Sequence, residues 1–295
     1  MPQRKIIAEN LEALNSLKDL AESYEEIAVI RMQKIKDSVL KTRDFLQDLS
    51  DVFVDLKSSY DRDVKELIAK RKQGSKTILP LLQKNGKVLM VYLSSNGRLY
   101  GSVTQKTYRL LMADLKKPEG QKADLMIIGS AGKEMFENSG MGKPFTYFDL
   151  PDIGVDMKHI KELMTKFLQY EQVHVYYGKF DNVVNQSPIG TSITGENIFE
   201  SEVVAPISRE DRFIFEPILE KIFYFFETQI IANLFSQTLL ENQLARHASR
   251  VNAMEEALIH IDEESKKLQA VKRLLKHQLQ NKKQLETISG LIIWS

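Results

Sequence analysis

The sequence predicts an α/β domain carried between two very long helices that wind around each other as an antiparallel coiled coil. Three observations predict it: the placement of glycine and proline, a sustained 3.5-residue apolar repeat at both ends, and a strand–helix rhythm in the middle. No glycine or proline lies between Gln3 and Gln73, nor between Ile218 and Ser289. All interior punctuation falls between Gly74 and Pro217. Each unbroken segment is about 70 residues, roughly 105 Å if helical, against about 11 residues for an average globular helix. Such helices need a partner along their length.

The N-terminal segment carries a stripe for one. Steps of four and three from Ile7 reach Leu11, Leu14, Lys18, Ala21, Glu25, Ala28, Met32, Ile35, Val39, Thr42, Leu46, Leu49, Phe53 and Leu56, and twelve of these fifteen positions are apolar. In the C-terminal segment the same steps reach Leu244, His247, Val251, Met254, Leu258, Ile261, Ser265, Leu268, Lys272, Leu275 and Leu279, eight of eleven apolar. A stripe this narrow suits a two-stranded seam better than a broad core. Because the segments sit at opposite ends of one chain, the predicted pairing is antiparallel and intramolecular. A parallel homodimer satisfies either stripe alone and stands as the alternative. The predicted bounds are 1–75 for the first helix, 84–208 for the central domain and 211–295 for the last helix.

The middle alternates between period 2 and period 3.6. Strands are predicted at Val88–Leu93, Asp124–Ile128, Phe145–Phe148 and Val173–Tyr177, with edge strands at 197–204 and 212–215. Helices are predicted at Thr104–Leu115 and Met157–Tyr170. Strands alternating with helices imply a small, mostly parallel sheet covered by helices.

Composition excludes several classes. Lys and Arg (41) nearly balance Asp and Glu (40), so no overall field draws nucleic acid. The absence of cysteine excludes disulfides, thiolate nucleophiles and sulfur-built zinc sites. The N-terminus turns polar at Ala8-Glu9-Asn10, unlike a signal peptide. No run of about 18 apolar residues spans a membrane.

A doubly wound sheet invites a nucleotide, yet neither GxGxxG nor GxxxxGK[ST] is present. The nearest candidate, Gly129-Ser130-Ala131-Gly132-Lys133, reads as a turn from strand into helix. This gives a Rossmann-like domain lacking a nucleotide site. The stretch Ser94–Ser102 is dense in turn residues around Asn96, an exposed Arg98 and an exposed Tyr100, and reads either as an ordinary loop or as a contact loop. His260 with Asp262, Glu263 and Glu264 reads as a solvated face, because consecutive helical positions diverge. Lys65–Lys72 reads likewise. Leu291, Ile292, Ile293 and Trp294 place four large apolar side chains near a terminus, where polar residues are usual. They imply burial by a partner or a fold-back onto the chain itself.

In this order the motifs resemble those of the gamma subunit of F-type ATP synthases over nearly the whole chain. Ser94–Ser102 is similar to the family's S-T-D-R-G-L-C-G-G loop, and Ile128–Gly132 to its I-G-x-K-G. Lys179-Phe180-Asp181-Asn182 through Gln186-Ser187-Pro188 follows K-F-x-N-x-x-x-Q-x-P. Phe215-Glu216-Pro217 leads into the last helix, and Glu227-Thr228-Gln229 stands for E-S-Q. Ala245–Met254 resembles A-S-E-x-A-A-R-M-x-A-M, and Glu286–Gly290 resembles E-I-V-S-G. Departures concentrate near the end. An R-Q pair that touches the catalytic subunits falls on Lys276-His277, losing the guanidinium fork. The I-T-x-E signature falls on Gln280-Asn281-Lys282-Lys283, reversing a charge, and a small G-A-A end becomes Leu291 to Trp294.

The resemblance implies a non-catalytic central-stalk rotor with no cofactor or metal of its own. It implies the alpha and beta subunits of a catalytic hexamer, an epsilon subunit and a membrane c-ring as partners, with no nucleic acid. The implied place is the cytoplasmic face of the cell membrane, peripheral and reached through partners. The implied contact candidates are Asn96, Arg98, Tyr100, Arg250, Lys276, His277, Leu291, Ile292, Ile293 and Trp294. A rotor of a motor that pumps no ions, and a coiled-coil scaffold with an α/β binding domain, are the alternatives.

Overall fold

The computed structural model describes residues 2–59, 85–194 and 219–293. The chain divides into two compact units, Met1–Ile30 with Arg250–Ser295, and Arg31–Ser249. Two long helices contribute to both: α1 (Pro2–Ser59) and α6 (Leu219–Ile293).

In the first unit the two helices pair antiparallel within one chain. Lys18 Nζ donates to Asp262 Oδ1 at 3.0 Å, and the Arg250 guanidinium lies 5.4 Å from the Tyr24 ring centroid. Residue numbers rising along α1 therefore meet numbers falling along α6, so the homodimer alternative is not needed to close the seam. The predicted stripe is the buried one. Ile7, Ala21 and Ala28 are buried, and Leu11, Leu14, Lys18 and Glu25 are half-buried. Their apolar neighbours Ile6, Leu17, Leu20 and Ile27 are exposed, so 3.5-residue spacing rather than hydrophobicity alone selects the seam. On α6 the stripe holds from Val251 to Leu268 and at Leu275, while Lys272 and Leu279 are exposed.

The second unit holds the sheet. Its elements are β1 (Val88–Leu93), α2 (Val103–Leu115), α3 (Pro118–Lys122), β2 (Asp124–Ile128), α4 (Ser130–Glu137), β3 (Thr146–Phe148), α5 (Met157–Phe167), β4 (Gln172–Phe180) and β5 (Gln186–Ser192). The strand order is β3-β2-β1-β4-β5. The first four are parallel, and β5 runs antiparallel to β4. Strands β1 and β2 coincide with their predicted bounds. The reading of the sequence missed β5 because Pro188 and Gly190 look like loop residues. Proline is tolerated on an edge strand, and β5 is the outermost strand among the described residues. The strands predicted at 197–204 and 212–215, the charged run 65–72 and the predicted extension of the first helix to residue 75 lie outside the described residues.

The pleat sends alternate side chains to two cores. Leu89, Val91, Leu93, Val173 and Val175 meet Leu163 and Phe167 of α5 and Ile231, Phe235 and Leu239 of α6. The Phe167 and Phe235 rings stand edge to face at 5.0 Å, a favoured aromatic geometry. On the other face Met90, Tyr92, Leu125 and Ile127 meet Leu111 and Leu115 of α2 and Phe136 of α4. Within this unit, α6 is thus one layer of the domain rather than a helix merely attached to it.

Candidate functional site

Chain order runs outward from β1 through β2 to β3, then returns to β4 on the far side of β1. The switch point lies between β1 and β4, where open α/β sheets bind ligands beyond their carboxyl strand ends. Here side chains of α6 occupy that position. Asn242 Nδ2 donates to the Leu93 carbonyl at 3.3 Å, and its Oδ1 accepts from the Gly178 N–H at 3.1 Å. One turn on, Arg246 Nη1 donates to the Ser94 carbonyl at 3.1 Å and to Asp152 Oδ1 at 2.7 Å. The next turn brings Ser249, whose Oγ accepts from the Val103 N–H at 3.4 Å. Positions 242, 246 and 249 share one helix face, and all three are buried.

Glycine makes the last contact possible. Gly101 has φ +63°, and a Cβ there would lie 2.4 Å from the Ser249 carbonyl oxygen. Only a residue without a Cβ permits both the conformation and the approach.

Asp152 gathers the loops. Its carboxylate accepts from the Asn96 N–H at 3.1 Å and the Gly97 N–H at 2.7 Å, besides Arg246. Burial alone pushes this carboxyl up, but the Arg246 charge and the Gly97 and Asn96 amides outweigh it and hold it below the usual carboxylate range. The Arg246 guanidinium also stacks 4.9 Å from the Tyr100 ring centroid.

The predicted contact residues divide. Asn96 is a fastener within the chain: its Nδ2 donates to Asp149 Oδ1 and to the Leu150 carbonyl, and its Oδ1 accepts from the Ser130 N–H. Arg98 is exposed and paired with Glu134 at 2.8 Å. Tyr100 corrects the reading of an exposed ring: it is buried between Arg246 and His247, because α6 covers it. Arg250 is buried too, against Tyr24. Lys276 and His277 are exposed on α6, remote from this crevice in sequence. Leu291, Ile292 and Ile293 continue the helix backbone of α6, and Trp294 lies outside the described residues.

The glycine-rich stretch at 129–133 is the turn that the sequence suggests. Gly129 has φ +99°. The first amides of α4 are satisfied internally, Ser130 N–H by Asn96 Oδ1 and Ala131 N–H by the Ser95 carbonyl. Lys133 lies over the Tyr147 ring at 5.2 Å. Among the described residues no group of His, Asp and Glu is placed to hold a metal.

Asn242, Arg246 and Asp152 were not singled out from the sequence. A signal existed: Arg246 and Asn242 lie one turn apart beside the predicted seam position Leu244. A charged residue next to a seam ordinarily reads as solvated, and Asp152 comes from a loop with no pattern of its own.

A sheet whose crevice is closed by a long helix, which farther along its length pairs with the N-terminal helix, places the chain among long-helix proteins that carry an α/β domain. A family described as ATP synthase matches residues 3–276, and its gamma chains align with this sequence nearly end to end, so the chain belongs to the ATP synthase gamma family. The ATP synthase gamma chain of Mycoplasmopsis pulmonis is 26% identical over 265 residues, covering 87% of each chain. That of Cytophaga hutchinsonii is 20% identical over 299 residues, covering 98% of each. Among solved structures, a chain of the OSCP/F1/c-ring part of the Euglena gracilis mitochondrial ATP synthase superposes with a TM-score of 0.66. It is 14% identical, with 98% of this chain and 94% of that one covered. A chain of the central stalk and c-ring of the Tetrahymena thermophila enzyme gives 0.55 at 18% identity, covering 81% and 99%. The family match ends at Lys276, where the departures noted in the sequence begin.

Proposed function

We propose that this chain is the central-stalk rotor of an F-type ATP synthase and performs no bond-making chemistry itself. The observation that carries the non-catalytic reading is the filled switch point. Asn242, Arg246 and Ser249 take the backbone donors and acceptors that a nucleotide would need there. Nucleotide chemistry then belongs to the alpha and beta subunits of a catalytic hexamer. The paired helices would lie against them, and the α/β domain would meet an epsilon subunit and the membrane c-ring. Such a rotor biases each catalytic site by presenting a different face to it as it turns.

Within this reading Arg98, Lys276, His277 and the apolar run Leu291–Trp294 are the partner contacts, whereas Asn96, Tyr100 and Arg250 shape the rotor from within. No described helix is long and apolar enough to cross a membrane. In this reading attachment is peripheral, through partners, on the cytoplasmic face of a bacterial-type complex.

Affinity purification of the tagged chain from its native host, with mass spectrometry and an ATPase assay, tests the proposal. Two related P-loop subunits in threefold excess, with ATP hydrolysis, are expected. Recovery of the chain alone or as a homodimer, without ATPase partners, would refute it in favour of the scaffold.

A further inference from the structure

We propose that Arg246 and Asp152 form a torsional lock that fixes helix α6 to the α/β domain, so that twist in the helix is delivered to the domain without slip; this rests on the rotor reading above. The helix meets the sheet in two chemically different ways. Ile231, Phe235 and Leu239 supply area, and the free energy of that burial depends on area rather than direction, so it sets the helix's orientation less sharply than bonds of preferred length and angle. The stripe Asn242, Arg246 and Ser249 supplies direction. Each of its hydrogen bonds has a preferred length and angle, and each ends on backbone or on the half-buried Asp152 carboxylate.

The pair is also connected beyond its own contact. Arg246 holds the end of β1 through the Ser94 carbonyl. Asp152 holds the turn after β1 through the Asn96 and Gly97 amides. Asn96 in turn holds the start of α4 after β2, through Ser130, and the chain after β3, through Asp149 and Leu150. One guanidinium on α6 is therefore tied to the carboxyl ends of three parallel strands. Any rotation of α6 that moves Arg246 away parts a buried guanidinium from its half-buried carboxylate, a steeper penalty than shifting apolar surface. Helix α6 continues from this lock to Ile293.

The test uses the assembled complex, with the catalytic hexamer immobilised and a bead on a biotinylated peptide inserted at Gly140, where the surface is open. The chain contains no cysteine, so a D152C/R246C variant carries the chain's only thiols; a short bis(methanethiosulfonate) closes the joint as each thiolate forms a mixed disulfide and expels methanesulfinate, and an added reducing thiol reopens it. Expected in the reduced complex is a several-fold wider angular spread of the bead at each dwell, with ATP hydrolysis unchanged. Cross-linking should return the spread to the wild-type width. The R246K variant, which keeps the charge but loses the planar fork, should fall between. A wild-type spread in the reduced complex overturns the lock. Loss of assembly or hydrolysis in the reduced complex marks a folding role and overturns it too. A wild-type bead that fails to rotate under ATP would instead refute the rotor reading itself.

Discussion

Asp152 Oδ1 lies 2.7 Å from Arg246 Nη1, with the two side chains 16% and 6% exposed. Removing one partner of so enclosed a pair strands the other charge away from water. The variant D152A should lose about 3–5 kcal/mol of stability, and urea titration of the wild type and variant measures it. A loss under about 1 kcal/mol would show that the pair behaves as a solvated surface bridge.

The same carboxylate predicts an acid response. Its folded pKa is depressed, so its contribution is fully present above the unfolded value of about 4 and is lost as pH falls through the lower folded value. The stability difference between wild type and D152N should therefore be constant from neutral pH down to about 4 and shrink below it. Thermal unfolding across that range measures the difference, and one that is flat through pH 3 would contradict the assignment.

Ala28 on the seam is 0% exposed, so there is no room beside it for a larger side chain. A28L should cost about 1–3 kcal/mol through overpacking, although leucine is a better seam residue in the abstract. The control L20A, at an exposed position of the same helix, should change stability by less than about 0.5 kcal/mol.

Leu99 adopts φ +65°, a conformation that costs a non-glycine residue about 1–3 kcal/mol. Its side chain is 54% exposed, so much of its surface already lies in water. L99G should raise the unfolding midpoint or leave it in place, since glycine's added unfolded-state freedom of about 0.5–1 kcal/mol offsets part of the relief. A clear drop in the midpoint would mean that the leucine side chain makes contacts worth more than its strain.

The apolar run Leu291–Trp294 is proposed to sit in an apolar sleeve of a partner. Changing all four residues to serine should leave the isolated chain as stable as the wild type and weaken assembly with the catalytic subunits. Size-exclusion chromatography of the reconstituted complex separates the outcomes, and undiminished assembly would count against the sleeve.

The long helices were legible because a narrow periodic stripe has one economical solution. Stepping by four and three from Ile7 picks out the buried side of α1 and leaves Leu17, Leu20 and Ile27 in solvent. Strands β1 and β2 were legible as short apolar runs between turn residues. Strand β5 was hidden by Pro188 and Gly190, whose acceptability depends on lying at an edge.

The order of apolar, turn and helix-forming residues along this chain determined its elements, its two-stranded seam and its family, because those depend on neighbours a few positions apart. The tertiary structure decided that Tyr100 is buried, that Asn96 faces inward, and that Arg246 meets Asp152 from 94 residues away. Local spacing carries no trace of such pairings, since a buried charge is tolerable only where folding brings its counter-charge and its hydrogen-bond partners to the same place.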